Sequence, residues 1–393
     1  PNWFAPSGYE APAGMIMSPE KNNAIMAHNS APAAHDGKVK EVWSFRRSNY
    51  FEHVGTECQH TAGAAGLLDM TAFAKFEVSG PGAADWLESL VANRVPTKIG
   101  RMGLCHMLSL NGGVRSEFTI YKEGPDQFYL VSAGAFERHD FDYLRKHLPT
   151  DGSVSLQKVT TQYGVLVLAG PRARDVLQPL TDWDLSNEAF PWLTGKTINV
   201  GHAMAKALRV NFVGELGWEL HHPIEMQNTI FDLLMETGAA HELRPFGIRA
   251  MDSMRVEKSY RLIPRELSIE YSALESGLDR FVRLNKPEFI GRDALVEWQQ
   301  RGFDNAFATL EVDGITHSDP RGNEAIYING ELAGRATSGS YGWRTGKTIA
   351  LGMLPPEAAV EGQEVEIEIL GARYPAKVVP ESPYDPQNAK LRG

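Results

Sequence analysis

Hydrophobic periodicity is weak over the first forty residues, which are rich in Pro, Ala and Gly, and becomes regular from Ala72. AFAKFEVSG alternates apolar and polar positions as a half-buried strand does. Gly80-Pro81 then opens an amphipathic run that predicts a helix from Gly82 to Val91, with proline at a favoured first-turn position. CHMLSL, VRSEFTIYK and QFYLVSA read as strands separated by turns at Asn111-Gly112-Gly113 and Gly124-Pro125-Asp126, which predicts an antiparallel meander. The spacing over Phe136–His147 predicts another helix.

This opening recurs. FAKFEVSGPGAADWLESL and YGVLVLAGPRARDVLQPL align at a constant offset of 90, with Gly80/Gly170, Pro81/Pro171, Ala83/Ala173, Asp85/Asp175, Leu87/Leu177 and Leu90/Leu180 identical. In the second copy the glycine-turned hairpin is ALRVNFVGELGWELHHP. A strand–GP–helix–hairpin unit used twice predicts two related subdomains about a pseudo-twofold axis, with the cleft between them a natural ligand site. Beyond about residue 305 come short alternating strands, with Asn329-Gly330 predicting a tight type I′ hairpin; they indicate a small, barrel-like β domain. The expected organisation is an extended arm over 1–40, subdomains over 41–150 and 151–304, and the β domain over 305–393.

Composition narrows the picture. A chain of 393 residues exceeds one ordinary core, and 42% apolar with 22% charged residues is typical of a globular protein. No run approaches the roughly 20 apolar residues of a membrane helix, and PNWFAPSGYEAPAG has neither the basic start nor the apolar run of a secretory signal. Cys58 and Cys105 are the only cysteines, beside 12 methionines, with no CxxC spacing. That points to a reducing compartment (the cytoplasm, or the mitochondrial matrix in a eukaryote) and away from a thiolate zinc site. Pro1 in place of Met leaves two origins open, removal of an initiator Met or cutting from a longer chain. A net charge of −10 with scattered basic residues argues against nucleic-acid binding, though a few arginines in one cleft would still accommodate an anionic small ligand.

Several common signatures are missing: GxGxxG after a strand, a P-loop, HExxH and GxSxG. His221 and His222 are adjacent in a strand and point to opposite faces, so they do not suit one metal. A lone histidine such as His106 reads as a core or surface residue. Two hairpin carboxylates carry more interest: Glu117 follows the Gly112-Gly113 turn, Glu219 follows Gly217, and pseudo-symmetry would bring both towards a shared cleft. In FGIRAMDSMRVEKSYRLIPREL, Ile248, Met251 and Met254 share a helical face, and Arg255, Glu257, Lys258 and Arg261 read as solvated or interdomain ion pairs rather than a substrate clamp.

GPGAADWLESLVANRV, MLSLNGGVRSE, LAGPRARDVL, GELGWELHHP, RAMDSMRVEKSYR, ESGLDRFV, EFIGRDAL, TSGSYGWRTGKTIALGML and ESPYDP occur in this order over roughly residues 40 to 390. Together they resemble the glycine-cleavage T-protein (aminomethyltransferase) superfamily. PNWFAP, RAMDSMRVEK, PREL before ALESGLDRFV, and SPYDP are similar to its branch formed by the C-terminal folate half of dimethylglycine and sarcosine dehydrogenases and oxidases. The resemblance implies an α+β cloverleaf: two pseudo-symmetric α/β subdomains and a C-terminal β-barrel around a central folate-binding opening. It implies tetrahydrofolate-dependent one-carbon transfer from an N-methylated amine, oxidised to an iminium by a flavoprotein, to give 5,10-methylene-tetrahydrofolate. FAD would then sit only on a partner or on a missing flavin domain.

Residue by residue, the family's key carboxylate, usually Asp in a GGV-x-x-Asp hairpin, falls on Glu117, which would hydrogen-bond the folate near its reactive nitrogens and manage their proton. Its pterin-binding Glu falls on Glu219, where a carboxylate suits the pterin's two-donor amidine edge. The Tyr of the GYTG strand becomes Phe212, which keeps a stacking face. A branch Tyr thirteen residues before the key carboxylate becomes Leu104, and the T-protein Arg that holds the folate's glutamate tail becomes Met251. The same motifs bring Met107, Trp218 and Tyr384 into the expected cofactor-binding set. Two alternatives for this chain stay open beside that expectation: flavin-independent methyl transfer from a betaine or sulfonium donor to tetrahydrofolate, and folate binding without catalysis.

Overall fold

The computed structural model describes residues 45–393, so the expected arm over 1–40 lies outside the described residues. Helix α1 (Phe51–Gly63) leads into β1 (Ala65–Asp69). The first copy of the repeat then runs β2 (Ala74–Ser79), α2 (Ala83–Leu90), β3 (Met102–Leu108), β4 (Val114–Gly124) and β5 (Gln127–Ser132), followed by α3 (Glu137–Lys146) and β6 (Ser155–Lys158). The second runs β7 (Tyr163–Ala169), α4 (Ala173–Leu177), β8 (Gly195–Val200), β9 (Ala203–Leu208) and β10 (Gly217–Pro223), followed by α5 (Gln227–Gly238) and β11 (Leu243–Pro245).

The duplication holds in three dimensions. One sheet has the order β3-β4-β5-β2-β6 and the other β11-β1-β7-β10-β9-β8, so β3-β4-β5-β2 and β8-β9-β10-β7 repeat the same connectivity. The GP turns match as well: Gly80 and Gly170 have φ of +119° and +127°. A Cβ on either would lie 2.3 Å from the Ser153 carbonyl oxygen or 2.5 Å from that of Ala64, so both conformation and space demand glycine. The chain crosses from the second sheet to the first between β1 and β2, and back again between β6 and β7. β1 pairs with β7 of the second sheet, and β6 pairs with β2 of the first. The sequence limits 41–150 and 151–304 therefore do not coincide with the two sheets.

Each sheet buries its outer face against its own helices, because strand alternation separates two side-chain sets. Phe76, Val78, Cys105, Met107, Phe118 and Leu130 pack under Trp86, Leu87 and Leu144. Leu166, Leu168, Trp218 and Leu220 pack under Ile230, Phe231 and Leu234. Each such large side chain contributes roughly 1.5–3 kcal/mol by leaving water. The inner faces meet, with Tyr121, Tyr129 and Val131 of the first sheet against Leu208 and Tyr163 of the second. Lys75 crosses the same seam, fully buried, donating to the backbone carbonyls of Thr71, Thr160 and Tyr163.

Helix α6 (Ile248–Glu257) and α7 (Arg292–Arg301) connect the sheets to a closed six-stranded barrel, β12-β15-β14-β13-β16-β17. Its strands are β12 (Ala306–Val312), β13 (Ala325–Ile328), β14 (Glu331–Gly342), β15 (Lys347–Leu354), β16 (Glu364–Ile369) and β17 (Ala372–Val379). Asn329 and Gly330 both have positive φ, as a type I′ turn requires. The protein is thus α+β, with two pseudo-symmetric α/β units and a β-barrel. The charged run on α6 is not solvated, as one of its two expected readings had it. Arg255, Glu257, Lys258 and Arg261 are all buried, and each is paired towards the barrel or the C-terminal tail.

Candidate functional site

The Gly112-Gly113 turn fixes the first carboxylate. Gly112 has φ +83°, and a Cβ on Gly113 would lie 2.6 Å from the Ile269 carbonyl oxygen. The turn docks on the loop after α6 through Val114 N–H to Ser268 O and Ala273 N–H to Gly112 O. A register shift between Met107 and Leu108 then sets His106 opposite Glu117. Both side chains share the inner face with Tyr121 and Tyr129. His106 is fully buried, and its Nε2 lies 2.9 Å from Glu117 Oε2. The Glu117 side chain is 23% exposed, and among the described residues its Oε1 makes no hydrogen bond, so that oxygen is free for a ligand.

Glu219 occupies the matching inner face of β10, opposite Val167. His221, two residues on and on the same face, places Nε2 3.2 Å from Glu219 Oε2. Its Nδ1 lies 3.1 Å from the Tyr129 hydroxyl, which joins the two sheets. Burial pushes Glu219 up to about 8. Burial, reinforced by Lys75 and Lys206, holds His221 well below the ordinary imidazole value. A neutral His221 with Tyr129 donating to Nδ1 carries its proton on Nε2, directed at Glu219. Lys206 sits over the Tyr129 ring at 4.4 Å and pairs with Glu123 at 2.9 Å and Glu77 at 3.3 Å.

The loop between β9 and β10 carries Phe212, half-exposed and stacked on Tyr260 with ring centres 5.6 Å apart and planes at 29°. Arg344 of the barrel anchors this loop. It donates to the Val213 carbonyl at 2.8 Å and pairs with Glu215 at 2.8 Å and Glu257 at 2.6 Å. Tyr384, from the tail after the barrel, donates its hydroxyl to Glu215 at 2.7 Å, and the Arg344 guanidinium lies 3.9 Å from the centre of its ring.

Four of the expected site residues therefore belong to the inner faces or the loop between β9 and β10, namely Glu117, Leu104, Glu219 and Phe212, and a fifth, Tyr384, reaches that loop from the tail through Glu215. Leu104 lies opposite Thr119 on the His106 face and is half-buried. Met107 and Trp218 are corrections. Both are fully buried in the outer cores, Trp218 6.1 Å from Phe190, because each follows or precedes an inward-facing residue by one position. Neither is placed to touch a ligand between the sheets. Met251 packs against the core around α1 and α6. Sequence reasoning missed His106, His221, Tyr129, Tyr260 and Arg344; only the i, i+2 relation of Glu219 and His221 was open to it. Among the described residues no three His, Cys, Asp or Glu side chains are grouped to hold a metal ion, and no helix is long and apolar enough to cross a membrane.

Known proteins share this architecture. Residues 26–286 match the GCVT N-terminal domain, and 306–385 match the glycine cleavage T-protein C-terminal barrel domain. The chain is 38% identical over 340 residues to mouse (Mus musculus) mitochondrial dimethylglycine dehydrogenase, covering 86% of this chain but 39% of that protein. It is 31% identical over 345 residues to an aminomethyltransferase of Natranaerobius thermophilus, covering 87% of this chain and 93% of that one. The solved aminomethyltransferase T of the glycine cleavage system from Bartonella henselae has the same fold, with a TM-score of 0.77 at 23% identity over 84% of this chain and 90% of that one. The paired sheets, the barrel and both domain matches make this chain a member of the glycine-cleavage T-protein (aminomethyltransferase) family.

Proposed function

We propose that this chain is the folate-binding half of an N-demethylating system, passing the one-carbon unit of a dimethylglycine- or sarcosine-like amine to tetrahydrofolate as 5,10-methylene-tetrahydrofolate. The observation that carries the reading is the pair of inner-face carboxylates, one from each repeat, each held at one oxygen by a fully buried histidine. The donor class rests on the similarity to dimethylglycine dehydrogenase, of which the chain spans about two fifths. The oxidising flavin would lie on the remainder of such a protein or on a partner.

The residues suit a pterin. Glu219 offers an acceptor to the two-donor amidine edge, and the Phe212–Tyr260 stack at the β9–β10 loop offers an apolar platform. Bound tetrahydrofolate supplies the nitrogens that accept the one-carbon unit. Glu117, with Oε1 free, is the group that accepts hydrogen bonds from those nitrogens and takes the proton released as they react.

Anaerobic calorimetric titration with tetrahydrofolate tests the binding arm. Wild type is expected to bind at micromolar concentration, and Glu219→Ala roughly 10–100-fold more weakly, the loss of a pair of buried hydrogen bonds. The catalytic arm follows the enzyme-dependent acceleration of 5,10-methylene-tetrahydrofolate formation from formaldehyde and tetrahydrofolate, which Glu117→Gln should lower roughly 100-fold or more. Wild type giving no heat at millimolar tetrahydrofolate would overturn the reading.

A further inference from the structure

We propose that His106 is a positioning residue that orients Glu117, so that a histidine-held glutamate does the work an aspartate does elsewhere in the family. This rests on the one-carbon transfer reading above.

Glutamate carries one more methylene than aspartate, hence one more rotatable bond and a carboxyl group that swings through a wider arc. A reacting group misplaced by about 1 Å can cost about a hundredfold in rate. The fold supplies a restraint. His106 faces Glu117 across the β3–β4 pair, is fully buried, and is wedged against Phe281 with ring centres 5.8 Å apart. Its main chain is pinned by Ala92 N–H to His106 O at 2.9 Å. Asn93 is pinned beside it, its Nδ2 donating to Leu104 O at 2.8 Å. The imidazole therefore has little freedom, and its Nε2 holds Glu117 Oε2 at 2.9 Å while Oε1 is left for the ligand.

The proton can be placed. Among the described residues Nδ1 of His106 is buried and has no hydrogen-bond partner. A carboxylate accepts and does not donate, so a proton on Nε2 satisfies the Glu117 contact and leaves only a bare acceptor at Nδ1. The other tautomer would bury an N–H with no acceptor and set two acceptors face to face, the more costly arrangement. The second repeat makes the contrast visible: His221 holds Glu219 in the same way, but its Nδ1 is tied to Tyr129. His106 is fixed by packing and by a single hydrogen bond, so the Glu117 contact depends on this one N–H.

Two variants, His106→Leu and His106→Gln, test the inference; the glutamine amide can replace the Nε2–H donor. In the formaldehyde–tetrahydrofolate assay, His106→Leu should lower kcat roughly 10–100-fold, with tetrahydrofolate affinity within about threefold of wild type. His106→Gln should return kcat to within about fivefold of wild type, which a merely structural loss would not do. Imidazole 15N shifts of the wild type give a readout independent of turnover and should show the proton on Nε2. Wild-type kcat in His106→Leu, equal losses of kcat in both variants at equal thermal stability, or a proton on Nδ1 would each overturn the inference. Failure of the parent reading looks different: wild type then neither binds tetrahydrofolate nor accelerates the reaction, whatever the tautomer.

Discussion

At the scale of single residues, the inner faces are governed by what burial does to ionisable groups. Glu219 titrates near 4.5 when unfolded and is lifted by burial to about 8 in the fold. Between those values the folded chain holds a proton that the unfolded chain has released, so this residue's contribution to stability falls as pH rises through that window and levels off above it. Glu219→Gln cannot ionise. Its stability relative to wild type should show no pH-linked gain near pH 4.5 and rise to a gain of about 2–4 kcal/mol by pH 8. Urea unfolding of both proteins at each pH measures this, and a difference that does not change with pH would refute it. His221 and His222 act at the acid end: their imidazoles are held below the usual value, chiefly by burial, so stability is lost as pH falls below about 6.5. Well above pH 6.5 both histidines are neutral in the folded and the unfolded chain alike, so the upper part of the window reports Glu219. The carboxylates themselves were legible in the sequence as hairpin positions after glycine turns. Their histidines were harder to see, because a lone histidine carries no signal until its strand partner is known.

The element scale explains why that partner was hidden. Counting back regularly from the Leu108–Val114 pair would set His106 against Ser116, whereas the irregularity between Met107 and Leu108 sets it against Glu117. One extra residue in the ladder thus decides which side chain meets the histidine, and no residue type announces it. Met107 and Trp218 err the other way, since they lie beside site residues in the chain and on the opposite face of the sheet. The duplicated strand–GP–helix turn, by contrast, was plain in the sequence, because its glycines are required by backbone geometry. Gly170→Ala should therefore destabilise the protein by about 2–4 kcal/mol, through a positive φ and a Cβ placed 2.5 Å from a carbonyl oxygen. A control at the open Gly152, also at positive φ but with no atom within 4 Å of the added Cβ, isolates the steric part. Equal melting temperatures for the two variants would count against this account.

At the scale of the whole molecule, the barrel is fastened to the sheets by ions that are nearly out of water. Arg344 reaches from the barrel to Glu257 of α6 and to Glu215 and Val213 of the Phe212 loop. Arg344→Met would leave two buried carboxylates without their cation, a loss of about 3–5 kcal/mol. It should also slacken the loop that presents Phe212. Thermal unfolding and limited proteolysis should show a lower melting temperature and new cleavage near residues 209–216, and an unchanged cleavage pattern would argue that the clamp is dispensable. The three-part organisation was legible from shifts in periodicity, but this fastening was not, since its partners lie 87 and 129 residues from Arg344 along the chain.

The exchange of strands across residue 150 carries a consequence of its own. Each half of the duplicated body lends a strand to the other: β1 lies between β7 and β11, and β6 covers the outer edge of β2. Neither copy can be lifted out whole, because doing so strips a neighbour from its sister's sheet and bares a row of unpaired amides and carbonyls. The seam between the two sheets consequently lies inside one body, tied across by the Tyr129 hydroxyl and His221.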